Sequence, residues 1–200
     1  MSFFVVFSVL ARISLILSLI MMAHLPLCWI YDSSFAPFVT SAAICFVVGL
    51  GLYISFPYPD REINQREAFM IVALSWVFTC FAGALPFQFS EIFSATYGFA
   101  HALFESMSGF TTTGATILTD IEALPKPLLF FRSFTHWLGG MGIVLISIAI
   151  LPMLGIGGMQ LMKAEGPGLK QDKLRPRIVE TAGWLWRIYL ILTASQVILL

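Results

Sequence analysis

The chain has 200 residues, of which 58% are hydrophobic and 11% are charged, and its formal net charge is zero. A soluble globular domain carries about 25% charged residues, so the composition indicates an all-α polytopic membrane protein in a lipid bilayer and gives no case for binding nucleic acid. Cys28, Cys45 and Cys80 all fall in apolar spans, where a role as small buried side chains is favoured over a disulfide or a metal site. No cofactor is expected.

The first apolar stretch runs from Ser2 to Ile30 and contains one cation, Arg12, and one histidine, His24. It lacks the basic n-region of a signal peptide and is too long for an apolar h-region, so it predicts a retained helix. A charge at the bilayer centre costs about 2.5–3.5 kcal/mol, which places the first span at about Ile13–Ile30 and Arg12 near the cytoplasmic headgroups. A gating or counter-ion charge is the alternative for Arg12, and His24 is expected to be structural.

A turn at Tyr31–Ser34 leads to a second, charge-free span at about Phe38–Phe56. Residues 1–57 are therefore predicted to form a pair of transmembrane helices. After a short charged loop, a third span is expected over Ala68–Leu85, ending before Pro86 because proline disrupts a helix interior.

The next apolar segment, Ile92–Phe104, is too short to cross a bilayer, since a full crossing needs about 20 residues. A half-length helix is predicted near Tyr97–Phe110, followed by the Thr/Gly-rich stretch Ser108–Thr116 and a fourth span, Leu128–Leu154. Irregular backbone at membrane depth is tolerated only where protein buries it or where it lines a wet cavity. The order of full span, short helix, polar turn and full span is typical of a pore loop.

The polar turn has the residue types that an ion filter needs. Rings of backbone carbonyl oxygens replace the hydration shell of a potassium ion in known filters, and glycine reaches the required backbone conformations without a Cβ penalty. Gly114 fits that role, and the hydroxyls of Thr111, Thr112 and Thr113 can bond backbone groups locally. We expect the carbonyls of these four residues to bind the metal ion, potassium, chiefly through Thr112 and Thr113.

Two pairs of polar residues are spaced four apart, so each pair shares one face of its helix. His101 and Glu105 fall on the predicted pore helix, where we expect a buried hydrogen-bonded pair that supports this helix. A metal pair is the weaker alternative, because two ligands do not make a site. Arg132 and His136 fall in the outer part of the fourth span, where they are expected to anchor it against the pore loop.

The cations are distributed unevenly among the loops. Arg61 and Arg66 lie between the second and third spans, and five more lie between the fourth and fifth: Lys163, Lys170, Lys173, Arg175 and Arg177. The positive-inside rule therefore places the N-terminus and both of these loops in the cytoplasm and the pore loop at the outer face. On that outer side Glu91, Asp120 and Glu122 either raise the cation concentration at the pore mouth or are ordinary solvated loop charges.

Three predicted units follow the N-terminal pair. Residues 58–160 form a helix–pore loop–helix repeat, residues 161–182 a basic cytoplasmic loop, and residues 183–200 the first helix of a second repeat. Because the pattern from Trp184 is still apolar at Leu200, we expect the chain to be the N-terminal part of a longer protein.

The run Phe104–Thr116 closely resembles the first pore loop of the Trk/Ktr/HKT potassium transporters, and Trp137–Ile143 and Gly157–Leu161 resemble bacterial potassium-uptake proteins of that superfamily. The resemblance extends over essentially the whole chain. It implies potassium uptake across the bacterial plasma (inner) membrane by a protein that is not an enzyme and has four pore-loop repeats, the first of which is present here. It also implies a homodimer of the complete protein and a cytoplasmic nucleotide-binding regulator of the TrkA type. Family members have one filter glycine per repeat, which leaves sodium permeation open.

Two other classes remain as alternatives. An intramembrane enzyme would need polar catalytic residues at depth, for which His101, Glu105 and His136 are the candidates. A non-transporting scaffold subunit would make the Thr/Gly turn a packing feature only.

Overall fold

The computed structural model describes residues 3–58, 65–150 and 174–199. These residues are helical throughout, apart from their loops, and include no strand, which confirms the all-α prediction. Seven α-helices are described: α1 Phe3–Met22, α2 Leu25–Ile30, α3 Ala36–Ser55, α4 Gln65–Gln88, α5 Phe99–Phe110, α6 Lys126–Ile150 and α7 Leu174–Leu199. A π-helical turn, Phe93–Tyr97, precedes α5. Most of the predicted basic loop at 161–182 lies outside the described residues.

Several segments in the described part of the chain are long and apolar enough to cross a membrane. They are Phe3–Ile30, Ala36–Ser55, Arg66–Gln88 and Glu180–Leu199, so a multi-pass membrane protein is confirmed. Helix α6 lies at the fourth predicted span and has 25 residues. Its first half carries Lys126, Arg132 and His136.

The predicted start of the first span at Ile13 is wrong, because α1 already begins at Phe3. Arg12 therefore lies inside the helix, and its guanidinium is satisfied there. Its Nη1 donates to the carbonyl and the hydroxyl of Ser8, each at 2.7 Å, and its Cζ lies 5.5 and 4.8 Å from the ring centroids of Tyr53 and Tyr58. A helical side chain points toward the N-terminus, so the cation is directed to that end of α1 while its stem stays against apolar surface.

Two helices also begin or end at other residues than predicted, in both cases near a proline. The first span is interrupted at Ala23 and His24, and the short α2 that follows has Pro26 in its first turn, where a missing N–H is tolerated. Helix α4 continues through Pro86 to Gln88, so its predicted end at Leu85 is wrong. Both prolines lie within a few residues of a helix end, where few helical hydrogen bonds are lost.

Helices α1 and α3 pack closely against each other, and α1 and α3 both contact α4. Small polar side chains bond across the first pair: the Ser14 hydroxyl donates to the Cys45 carbonyl at 2.7 Å, and the Ser18 hydroxyl to the Ala42 carbonyl at 2.9 Å. A Cβ at Gly49 would lie 3.0 Å from Ser14. Small residues and interhelical hydrogen bonds are the usual means by which transmembrane helices associate, so residues 3–55 form a tightly packed pair.

The chain divides into two compact units, residues 1–139 and residues 140–200. The first contains α1–α5, the π-helical turn and the first half of α6. The second contains the rest of α6 and α7, whose large apolar side chains are exposed: Trp184, Ile188, Leu190, Ile191, Leu192, Val197, Ile198 and Leu199. The pore loop and all the contacts described below lie in the first unit.

Candidate pore-loop site

The pore helix α5 is short and has one buried face. Its 12 residues follow Gly98, whose φ is +98°, and span about 18 Å at 1.5 Å per residue. The hydrocarbon core is about 30 Å thick, so α5 cannot cross it. The predicted half-length helix is confirmed, with its start at Phe99. Its buried residues are Ala102, Glu105, Ser106, Ser108, Gly109 and Phe110.

Glycines bring the C-terminal end of the pore helix into direct contact with its neighbours. A Cβ at Gly83 on α4 would lie 2.5 Å from the Phe110 ring, and a Cβ at Gly109 would overlap the Thr135 hydroxyl on α6. A Cβ at Gly139 on α6 would overlap the carbonyl of Phe110. Gly139 therefore permits a close backbone contact, and the backbone at the end of α5 is held on two sides.

Glu105 joins three parts of the pore loop and has no exposed surface. Its carboxylate accepts hydrogen bonds from the Thr116 hydroxyl at 2.5 Å and from the Ile117 N–H at 2.9 Å, both after the turn. Its other oxygen accepts from Nε of Arg132 on α6 at 2.9 Å. A buried ion pair is favourable only when geometry and additional hydrogen bonds offset its desolvation. The Glu105 side meets both conditions, whereas Nη2 of Arg132 has no hydrogen-bond partner among the described residues.

The predicted hydrogen-bonded pair of His101 and Glu105 is wrong. His101 is exposed, and its ring contacts that of Tyr97 at a centroid distance of 5.7 Å, whereas Glu105 is paired with Arg132. The anchoring role predicted for Arg132 is confirmed, and Glu105 is its contact on the pore loop. The His136 Nδ1 lies 2.9 Å from the Arg132 carbonyl, within its own helix.

The turn after the pore helix is a Schellman cap with a threonine at its left-handed position. Thr112 has a φ of +58°. Its N–H donates to the Gly109 carbonyl at 2.9 Å, and the Thr113 N–H donates to the Ser108 carbonyl at 3.0 Å. Glycine normally occupies this position, and a β-branched residue with positive φ is an outlier. Such backbone strain costs about 1–3 kcal/mol and persists only where the surroundings enforce it.

The amide groups and the carbonyl groups of the turn have different partners. The N–H groups of all four turn residues donate back to the pore helix, including those of Thr111 to Met107 at 2.9 Å and of Gly114 to Ser108 at 3.5 Å. In the described part of the chain, no hydrogen bond reaches the carbonyl oxygens of Thr112, Thr113 or Gly114. Residues 111–114 are exposed, so three successive carbonyls are open to a ligand.

The hydroxyl groups of the turn are used locally, as predicted. The Thr111 hydroxyl donates to the Met107 carbonyl at 2.7 Å and lies 2.8 Å from the Thr113 hydroxyl. The Thr112 hydroxyl donates to the Thr111 carbonyl at 2.7 Å, so the carbonyl of Thr111 is less open than the three that follow it. These hydroxyls therefore support the turn and leave its later carbonyls open.

The acidic residues that are predicted to lie on the outer side have separate surroundings. Asp120 Oδ1 accepts the N–H of Glu122 at 3.0 Å, and both residues are exposed. Glu91 lines a cavity of about 410 Å³ at the ends of α3, α4 and α6. Asp120 thus shapes its own loop, which favours the ordinary loop role for these two residues.

The chain was compared with known proteins. Residues 35–200 match the TrkH family model, described as a cation transport protein. The Trk system potassium uptake protein TrkH of Escherichia coli K12 is 50% identical over 155 residues, which is 75% of this chain and 32% of that protein. The Trk system potassium uptake protein TrkG of the same organism is 34% identical over 188 residues, covering 86% of this chain and 38% of that protein.

The crystal structure of the potassium transporter TrkH from Vibrio parahaemolyticus matches with a TM-score of 0.81 and 35% sequence identity. The match covers 98% of this chain and 38% of that one. The chain thus spans about a third of the length of the relatives that it matches. Because the family model matches most of the residues and the fold agrees, the chain belongs to the TrkH family of cation transport proteins.

Proposed function

We propose that this chain supplies one quadrant of a potassium-conducting pore, in which backbone carbonyls of Thr111–Gly114, chiefly Thr112 and Thr113, coordinate the ion. The observation that carries the proposal is the division of polar groups in the turn. Its N–H groups are bonded to the pore helix, whereas the carbonyls of Thr112, Thr113 and Gly114 accept no hydrogen bond from described residues. Because residues 111–114 are exposed, these carbonyls can replace water molecules around a partly dehydrated cation.

The surrounding contacts hold these carbonyls before an ion arrives. The Schellman cap fixes the start of the turn, and Glu105 binds the segment after it through Thr116 and Ile117. The ion pair with Arg132 ties this arrangement to α6. Dipoles that are already oriented need no reorganisation when the ion loses water, which is the requirement for both fast entry and discrimination.

The complete protein is proposed to carry four such pore loops and to mediate potassium uptake across the bacterial plasma (inner) membrane. The names of the relatives, potassium uptake proteins, support this activity. The distribution of Lys and Arg supports a cytoplasmic N-terminus and an outward-facing pore loop. Potassium, the lipid bilayer, a second copy of the complete protein and a cytoplasmic nucleotide-binding regulator of the TrkA type are the proposed partners.

The test is a Gly114→Ala substitution in a full-length transporter that carries these residues, assayed by potassium uptake in an uptake-deficient bacterial strain. Gly114 has a φ of +77°, and an added Cβ would meet no atom within 4 Å, so the substitution changes backbone preference without a clash. We expect uptake to fall by at least about tenfold, the equivalent of about 1.4 kcal/mol. Gly51→Ala, also in open space but on α3, is the matched control and should be neutral.

Unchanged uptake by Gly114→Ala, with protein present at the wild-type level, would contradict the proposal. The scaffold alternative expects that result together with normal assembly. The enzyme alternative relied on His101 and Glu105, which have different surroundings and therefore do not form one catalytic pair.

A further inference from the structure

A continuous series of aromatic rings connects the N-terminal helix pair to the pore helix. Successive ring centroids are 5.2 to 5.7 Å apart, within the range of favourable edge-on and offset contacts. The members of this aromatic series, in order, are His24, Phe131, Phe87, Phe93, Tyr97 and His101. They belong to the α1–α2 junction, α6, α4, the π-helical turn and α5, so the series leads from the helix pair to the pore helix.

His24 has two separate functions at the start of the series. Its backbone N–H donates to the carbonyl of Met21. The Ile20 carbonyl, which that N–H would bond in a continuing helix, instead lies 2.7 Å from Nδ1 of the His24 ring. This contact caps the end of α1, whose last carbonyls have no helical partner. Its ring is 4% exposed and stacks on Phe38 of α3 at 5.3 Å, next to the edge-on contact with Phe131.

The α6 side of this junction is also aromatic. Phe130 and Phe134 approach the His24 ring at 5.6 and 5.5 Å. His24 Nε2 has no hydrogen-bond partner among the described residues, so ring packing, rather than a second hydrogen bond, joins the helix pair to α6. The ring and the cap can therefore be removed separately by substitution.

The far end of the series is where the pore helix has the fewest polar restraints. Gly98 precedes α5 with no side-chain cap hydrogen bond, whereas the other end is held by Gly83, Gly139 and the Glu105 contacts. Because α5 is a rigid rod of about 18 Å, a displacement of Tyr97 and His101 at its start tilts the helix. The helix then pivots on its held end, which changes the direction in which it enters the turn.

We propose that the N-terminal helix pair positions the pore helix through this aromatic series, with His24 and Phe87 as positioning residues for the filter. This inference rests on the proposed function, since the filter is what the pore helix places. It assigns residues 3–55 a role in ion affinity in addition to membrane anchoring. Loosening the series changes the potassium concentration for half-maximal uptake and not only the amount of folded transporter.

The experiment compares Phe87→Leu with Phe89→Leu in the full-length transporter. Both residues lie at the end of α4, but Phe87 is fully buried in the series and Phe89 is 40% exposed. Uptake of potassium is measured over a range of concentrations and normalised to the amount of protein. We expect Phe87→Leu to raise the half-saturation concentration by about three- to tenfold, the range that one lost aromatic contact supports, and Phe89→Leu to leave it unchanged.

Two substitutions of His24 keep the test decisive if Phe87→Leu does not fold. His24→Phe retains a ring but loses the cap, so it should lower thermal stability and keep the half-saturation concentration within about twofold of wild type. His24→Asn retains a short donor but loses the ring, so it should raise that concentration as Phe87→Leu does. Normal half-saturation in both Phe87→Leu and His24→Asn, with only the maximal rate reduced, would overturn the inference. Absence of saturable potassium uptake by the wild-type protein would instead overturn the proposed function, and this inference with it.

Discussion

The N-terminal helix pair and the pore loop use the same small hydroxyl side chains in different ways. In the helix pair, the Ser18 hydroxyl donates to the Ala42 carbonyl of a neighbouring helix, and both helices are regular at that point. In the pore loop, the Ser108 hydroxyl donates to the Ala115 carbonyl across an irregular turn at 2.6 Å. The first hydrogen bond joins two regular helices, whereas the second stabilises backbone that is not helical.

The difference follows from how backbone is satisfied inside a membrane. Every N–H and C=O group there needs a partner within the protein or in a wet cavity. A helix provides those partners by itself, so a hydroxyl such as that of Ser18 contributes only to the packing of one helix on another. The stretch that follows the turn, residues 115–118, has no such internal ladder, so the side chains of Glu105, Ser108 and Thr116 take its place. Substitutions of these hydroxyl side chains should therefore be tolerated in the helix pair and damaging in the pore loop.

The largest expected effect is that of Glu105→Gln. The change leaves Arg132 buried without its counter-charge, and breaking a buried ion pair costs about 3–5 kcal/mol. We expect a marked fall in the melting temperature of the purified full-length transporter and loss of uptake. His101→Gln, on the exposed face of the same helix, is the matched control and should change stability by less than about 0.5 kcal/mol.

A double substitution sharpens the same prediction. If the cost comes from the unpaired charge, Glu105→Gln combined with Arg132→Met should be more stable than Glu105→Gln alone, since a hydrophobic replacement of both partners removes the charge. A double variant that is no more stable than the single one would contradict the assignment of the cost to the unpaired charge, because Glu105→Gln retains an oxygen that can accept from Thr116 and Ile117.

The next effect concerns the closest backbone contact of the pore helix. In Gly139→Ala, the new Cβ would overlap the backbone carbonyl of Phe110, and backbone cannot rotate away as a side chain can. Overpacking of this kind costs about 1–3 kcal/mol, and the displaced Phe110 is directly followed by the filter turn. Both the melting temperature and potassium uptake should fall. Wild-type uptake by Gly139→Ala would argue against rigid contact at this point.

Thr112→Gly should separate stability from selectivity. Left-handed φ costs a non-glycine residue about 1–2 kcal/mol, and glycine loses about 0.5–1 kcal/mol more entropy on folding, so the variant should be up to about 1 kcal/mol more stable. The same change removes the hydroxyl on the Thr111 carbonyl and lets the turn sample other conformations. We expect the ratio of potassium to sodium uptake to fall while the melting temperature does not. A lower melting temperature would contradict the assignment of strain.

The half-length helix and the irregular turn after it could be predicted from the sequence because their signals are local. The short apolar segment, the Thr/Gly composition and the position of Gly114 are all read along the chain, and the structure places a half-length helix and an irregular turn there. The positive φ of Thr112 could not be predicted, since β-branched residues rarely adopt it. It is enforced by the cap and by neighbouring helices.

The contacts between helices could not be predicted from the sequence, for a physical reason. Glu105 and Arg132 are 27 residues apart, and helical spacing identifies which residues share a face but not which helices meet. The early start of α1 was missed for a related reason: Arg12 is satisfied by Tyr53 and Tyr58 from another segment. A cation that finds partners elsewhere in the fold does not mark the end of a span.

The smallest expected effects come from making one chemical change in both regions. Ser18→Ala removes a hydrogen bond between helices, which averages about 0.6 kcal/mol in membrane proteins, and should leave uptake at the wild-type level. Ser108→Ala removes a bond of about 1 kcal/mol, so the two variants should differ little in melting temperature. In Ser108→Ala, however, the Ala115 carbonyl loses the hydrogen bond from Ser108, its only hydrogen-bond partner among the described residues. This carbonyl is then free to rotate next to Gly114.

Uptake should therefore fall in Ser108→Ala alone. Equal uptake by the two variants would mean that the hydroxyls act as packing in both regions, and the difference between helix pair and pore loop would be one of backbone shape only.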